Sequence, residues 1–335
     1  MASIGIIETT VSSVVSNATD SFVEVVESSS LVSGKKYHVI CHALCEGGLT
    51  HVPDSFRLVD RTNGDAVLSN STMIREPESS NKTQSYYYLG EFTAGSGGGG
   101  LAFEQKSSIN GFTVSTQYLS MLLLDLSELT EDDYFYASDT SSTNLTNTYQ
   151  TFAKVTITGT RLDDYLVLGW QATGTDTVNA SSTMVQLSHD QSVEADLPTS
   201  TMEGEDLTEV LNVLQGRTFN ISGGDTFSIK SKMDSFPLYA NDHLASSILG
   251  IRLNAFVDYS SSYTNAVSTT TSTDFTEYQQ ITFNPDSTGD AVVFGSSFFN
   301  AGSTGRRAYS RVQVQGVTLP NTQPDTEYAC SSNDG

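Results

Sequence analysis

The chain repeats itself at the scale of a domain. Three times it writes the same pair of strands, within 22–44, 149–172 and 278–299. The second strand of each pair begins at Tyr37 (Tyr-His-Val-Ile-Cys-His), Tyr165 (Tyr-Leu-Val-Leu-Gly-Trp) and Ala291 (Ala-Val-Val-Phe-Gly-Ser), spaced about 128 and then about 126 residues apart. Solenoid repeats run to about 20–50 residues, so this period is that of a whole domain, and a duplicated all-β domain is predicted.

Alternation supports strands throughout. Leu249, Ile251, Leu253, Ala255 and Val257 share one face, while Gly250, Arg252 and Asn254 share the other. That is a half-buried strand of an antiparallel sheet. One copy earlier, Leu122, Leu124 and Leu126 take the positions of Ile251, Leu253 and Ala255. Tyr134 then matches Tyr263, Ala137 matches Ala266, and Tyr149-Gln150 matches Tyr278-Gln279. Leu101 and Phe103 alternate like Phe227 and Ile229, the 86–89 run corresponds to 209–214, and Val185 and Leu187 match Val312 and Val314. Gly- and Asn-rich turns separate these segments, and Asn63-Gly64 reads as a type I′ hairpin with positive φ at both positions. The 203–214 stretch fits either a strand or a short helix. The expected fold is all-β: tandem jelly-roll-like β-sandwiches from an internal duplication of about 127 residues.

The third copy stops near Leu319, so the chain holds about two and a half copies. The expected division is 1–140 for one sandwich, 141–320 for a second plus the partial third, and 321–335 for a flexible polar tail. A division into 15–140 and 145–270 fits as well. The leftover half would then close on another part of the chain or on a neighbouring subunit, because open sheet edges invite pairing.

Hydrophobic residues make up 37%, and the remainder is rich in Ser, Thr, Asn and Gly. That is the composition of sheet surfaces and turns. The net charge is −23, with only 16 Lys plus Arg. Affinity for nucleic acid or an anionic membrane comes from Lys and Arg, so neither partner is expected. No apolar run approaches the roughly 18 residues of a membrane helix. The Met1–Glu8 segment lacks a basic region and an apolar core, so no secretory signal is expected.

No motif carries chemistry. His38 and His42 fall on one face of a strand, Cys41 and Cys45 on the other, so they cannot converge on one metal with His51. Cys41 and Cys45 also lie roughly 13 Å apart on an extended strand and cannot bridge; both read as buried thiols. Asp60 to Asp65 and Asp286 to Asp290 supply two carboxylates each and read as polar turns rather than Ca²⁺ loops. Asp132-Asp133 and Asp163-Asp164 are adjacent pairs that point apart, unsuited to a glycosidase dyad unless loops converge. His189-Asp190 has no serine in a nucleophile turn. No catalytic, metal or cofactor site is expected. Aromatics at strand ends remain as candidates for an interface or a glycan contact: Tyr86, Tyr87, Tyr88, Tyr134, Tyr136, Tyr259 and Tyr263.

Ser33-Gly-Lys-Lys-Tyr37, Phe56-Arg-Leu-Val59, Ile74-Arg-Glu-Pro77 and the Leu122–Leu129 segment resemble stretches of virion structural proteins from marine and cyanobacterial tailed phages. The resemblance covers most of 30–130. It implies a non-enzymatic virion-surface protein, made in the host cytoplasm. A capsid decoration or head fibre is the first reading, with a tail-fibre or adhesin-type carbohydrate-binding module as the alternative. Implied partners are capsid or tail proteins of the same virion, a homo-oligomer such as a trimer, and a host surface glycan. No active residue is carried over.

Overall fold

Alternating Val, Ile, Leu, Tyr and Thr, broken by Gly- and Asp-rich turns, make this a chain of strands. The computed structural model describes residues 4–256 apart from 47–52, 75–82, 108, 131, 159–162, 176–180, 190–199, 205–209 and 234–240. Beyond 256 it describes 259–261, 280–283 and four strands of two residues each. Helical structure among the described residues is confined to two 3-10 turns, Arg61–Asn63 and Leu253–Ala255.

The first nine strands are β1 (Gly5–Val11), β2 (Val15–Asn17), β3 (Val23–Glu27), β4 (Lys36–Glu46), β5 (Pro53–Asp60), β6 (Ala66–Ile74), β7 (Thr83–Thr93), β8 (Leu101–Lys106) and β9 (Val114–Asp125). The next nine are β10 (Tyr134–Asp139), β11 (Thr143–Asn144), β12 (Gln150–Thr156), β13 (Asp163–Thr175), β14 (Ser181–His189), β15 (Ser200–Gly204), β16 (Val210–Ile221), β17 (Thr226–Met233) and β18 (Asn241–Arg252). The second set repeats the first, strand for strand. β1-β9-β4-β7, with β2 beside β1 on β9, recurs as β10-β18-β13-β16 with β11 on β18. The facing order β3-β8-β5-β6 recurs as β12-β17-β14-β15. Counting each split first strand as one gives four strands per sheet in the interleaved order of a jelly roll, in both copies.

The copies share their irregularities too. The β4–β9 register slips between Leu44 and Cys45, and the β13–β18 register slips at the equivalent step between Ala172 and Thr173. A second bulge falls between Glu24 and Val26 in β3 and between Thr151 and Lys154 in β12. Bulges re-aim every side chain beyond them, so their shared positions place the two copies in one register.

That register refines several expectations. Leu124 opposes His38 while Ile251 opposes Leu166, so Leu122, Leu124 and Leu126 align with Leu249, Ile251 and Leu253. This is two residues from the sequence match, and a shift of two preserves which face each residue occupies. β10, beginning at Tyr134, pairs with β18 of the second copy. The 203–214 stretch is extended where described, in β15 and β16. Positive φ falls on Gly64 (69°) and Asp65 (65°), one residue later than the Asn63-Gly64 reading, because Asp60 caps a 3-10 turn over Arg61–Asn63. Within the tail expected to be flexible, Tyr328–Ala329 pairs with Arg307–Ala308. The third-copy strands at 284–299, Val312, and the Asp286–Asp290 turn lie outside the described residues.

The first core is filled by Phe56, Leu58, Tyr86, Phe103, Leu119, Met121 and Leu123, all at 2% exposure or less. The second is filled by Val167, Val185, Leu187, Phe227, Ile229 and Ile248. A third apolar layer lies between the sandwiches. Ile40, Leu122 and Leu124 on the back of the β1-β9-β4-β7 sheet meet Leu166, Ile251 and Phe256 on the back of its copy, around a void of about 10 Å³. Equivalent sheets of the two copies thus meet back to back, while β10-β18-β13-β16 continues through β16 and β6 into β5-β8-β3 as one nine-stranded sheet. One further residue pair, Val210 with Thr72, bridges β16 to β6.

Candidate functional site

The back-to-back seam is where the structure gathers the residues that the sequence singles out. β4 alternates across it. Cys41 and Cys45 point into the first core as free thiols, and burial pushes both well above their ordinary range. His38 and His42 point into the seam. His38 lies edge-on to Tyr134 and Tyr136, with ring centroids 5.4 and 5.3 Å away. His42 stacks on Tyr87 at 4.7 Å and meets Tyr118 at 6.0 Å. Both rings are neutral at pH 7, because burial lowers each pKa to about 4. The Glu91 carboxylate, 3.4 Å from His38 Nε2, opposes that shift without cancelling it.

The tyrosines expected to form an exposed platform are used inside the chain. Tyr86 is 2% exposed and packs edge-on to Phe103 at 5.2 Å. Tyr88 is 7% exposed and packs edge-on to Trp170 at 5.2 Å. Tyr87, Tyr134 and Tyr136 are half-buried in the seam against the two histidines. The reason is the second sandwich: both faces of β7 are covered, one by its own core and one by the neighbouring jelly roll. Tyr259, past the last 3-10 turn, is 39% exposed, and Tyr263 lies outside the described residues.

Two residues missed by the sequence reading hold the seam closed. Trp170 Nε1 donates to the Tyr87 carbonyl at 2.8 Å, and Ser247 Oγ donates to the Leu89 carbonyl at 2.5 Å. Both cross from one jelly roll to the other. Trp170 is the sole tryptophan, a signal that sequence reading passed over.

The carboxylates expected to point apart do converge in one place, but on a cation. Arg252 Nε donates to Asp163 at 2.6 Å and Nη1 to Asp133 at 3.2 Å. Burial opposes the charge on each aspartate, yet hydrogen bonds from Thr130 and Arg252 to Asp133, and from Arg252 and Asp164 to Asp163, hold both below the usual range. Held below the usual range on a guanidinium, the pair is ionised at pH 7. Asp60 is likewise engaged, accepting from Thr62 N at 2.9 Å and Thr62 Oγ1 at 2.6 Å, while Asp65 pairs with Arg61 at 3.0 Å. His189 lies 3.2 Å from Asp225 and stacks on Phe227 at 4.5 Å.

No protein-family model matches the chain, and no curated protein matches it. Among solved structures it is similar to dimeric latent PorU from Porphyromonas gingivalis (TM-score 0.28, 10% identity), covering 66% of this chain but 25% of that one. It is also similar to the tandem CBM22-1–CBM22-2 domain of Paenibacillus barcinonensis Xyn10C (TM-score 0.23, 6% identity, 73% of this chain and 93% of that one). A third likeness is to the PBSX exported protein XepA (TM-score 0.17, 9% identity, 70% and 88%). The chain spans about a quarter of the length of PorU. Values this low leave the fold to be read from the strand order itself.

Proposed function

We propose that the chain is a non-enzymatic structural protein of a phage particle's exterior, a capsid decoration or head-fibre component. The observation that carries this reading is the seam. Two jelly rolls that bury their aromatics against each other make a stiff block suited to mechanical and spacing roles. The Arg252 clamp on Asp133 and Asp163 agrees with a non-catalytic reading, because those carboxylates are committed to an ion triad. The resemblance of residues 30–130 to tailed-phage structural proteins supplies the particle. Quantitative mass spectrometry of purified particles, counting this chain against the major capsid protein, tests the assignment. Hundreds of copies per particle support decoration, tens or fewer move the protein to a collar or tail appendage, and absence overturns the reading.

A further inference from the structure

Because the sandwiches are copies in a fixed register, their outer faces can be compared position by position. Glu24 and Arg57 flank Glu104 across β3-β8-β5. Thr151 and Gln186 flank Lys230 across β12-β17-β14 in the same way. Lys230 thus stands where the first sandwich has Glu104, and Lys232 where it has Lys106. Lys154, opposite Ser228, stands where Glu27 opposes Ala102.

In the first sandwich this face neutralises itself. Glu104 is held at 2.6 Å by both Arg57 and Arg61, Arg61 also reaches Glu24 at 3.0 Å, and Glu27 accepts the Gly100 N–H at 2.6 Å. In the second sandwich every carboxylate of the set is gone. Three lysines share the face, and among the described residues none of them has a carboxylate within ion-pair distance. Among the described residues Lys35 is tied to Asp125, Lys36 to Glu91, and Arg252 to Asp133 and Asp163, while Lys106, the counterpart of Lys232, lies over the Phe22 ring. In a chain of net charge −23, three lysines without such partners on one sheet face are a local inversion of sign.

The geometry is that of a flat cationic strip. Lys230 and Lys232 are two residues apart on one strand, about 7 Å, and Lys154 lies diagonally across on β12 at about 7–8 Å. At one end the Tyr149 ring is 41% exposed, with Lys232 Nζ 5.0 Å from its centroid. Beside Lys230, the exposed Thr151 supplies a hydroxyl.

We infer that this face binds an anionic polysaccharide, a sugar chain bearing carboxylate or sulfate groups. The lysines meet the anions, the Thr151 hydroxyl meets a sugar hydroxyl, and the Tyr149 ring offers a surface for a sugar's apolar face. A protein partner fits less well, because lysine is depleted from the cores of protein interfaces and the strip has no apolar anchor at its centre. Nucleic acid fits less well, because a duplex carries a charge every ~1.7 Å and its affinity calls for more Lys and Arg than the three on this strip. The inference does not depend on the virion assignment.

Affinity electrophoresis of the full chain through gels containing polygalacturonate, dextran sulfate or neutral dextran tests it. Retardation by the two anionic polymers is expected at low salt. It should fade as the Debye length shrinks from about 10 Å at 0.1 M to about 3 Å at 1 M. The Lys154→Gln/Lys230→Gln/Lys232→Gln variant is expected to bind about tenfold more weakly. A Lys36→Gln/Lys106→Gln variant, altered on the first sandwich, should stay within about twofold of the parent. Native Trp170 emission in each variant confirms folding. Equal retardation by neutral dextran, an unchanged triple variant, or tighter binding to DNA than to either polymer overturns the inference. Salt-sensitive self-association without polymer binding also overturns it, and assigns the face to a second copy of the chain.

Discussion

Acid should loosen the seam through His38 and His42. Both are neutral in the folded chain with pKa values of about 4, against an ordinary 6.5 when unfolded. Between those values the unfolded chain binds more protons than the folded one. The stability that the neutral rings permit is therefore complete above about pH 6.5 and is lost as the pH falls towards 4. At pH 5 each histidine lies about 1.5 units below its unfolded pKa and still above its folded one, so each costs about 2 kcal/mol and the pair about 4 kcal/mol. That is a large part of the roughly 5–15 kcal/mol by which a domain is stable. Asp133 and Asp163, held below the ordinary carboxylate range, stay charged at pH 5 and do not contribute. His243, lowered by burial and stacked on Phe152 at 3.8 Å, acts in the same direction from the second sandwich. The assay is urea unfolding at pH 7 and pH 5, followed by Trp170 emission, for the parent and for His38→Phe/His42→Phe. Phenylalanine keeps the ring packing and removes the titration. The parent should lose about 4 kcal/mol more than the double variant on going to pH 5. Equal losses would place the acid sensitivity outside the seam and overturn this assignment.

Other perturbations probe separate parts of the structure. Trp170→Phe leaves the Tyr87 carbonyl without its cross-seam donor and should cost about 1–3 kcal/mol, read by urea midpoint with far-UV circular dichroism. Gly250→Ala places a methyl 2.0 Å from the Phe135 ring, so overpacking should cost about 1–3 kcal/mol and lower Tm in calorimetry. Replacing Arg252 with Gln should raise the carboxyl pKa of both Asp133 and Asp163 in an NMR titration, while Asp125, bound to Lys35, stays where it was.

The jelly rolls were legible because their information is local. Period-two alternation marks each strand, and the repeat offset marks the copies. The match at Leu122 was two residues out, yet it kept the correct face, since parity survives a shift of two. What alternation cannot say is whether the second face of a strand meets water or another sheet. Tyr87 reads as an interface or glycan-contact candidate for that reason, and His38 and His42 are placed on one face with nothing to say what covers it. A signal was nevertheless present: Leu166 and Leu168 flank Val167 in β13, and Met121 to Leu124 run unbroken in β9. Continuous apolar runs of this kind mark strands covered on both sides. The Arg252 clamp and the lysine strip were hidden for another reason. Asp133 and Arg252 lie 119 residues apart, and Lys154 and Lys230 meet only through strand register. The Asn63-Gly64 turn slipped by one because Asp60 spends its carboxylate capping the preceding turn.

The back-to-back seam welds the two jelly rolls into one body. Differential scanning calorimetry of the full chain at pH 7 addresses it most directly. A single transition for both sandwiches, coincident with the red shift of Trp170 emission and with equal calorimetric and van't Hoff enthalpies, is the predicted result. Two resolved transitions, with Trp170 reporting on the first while one sandwich stays folded, would contradict it.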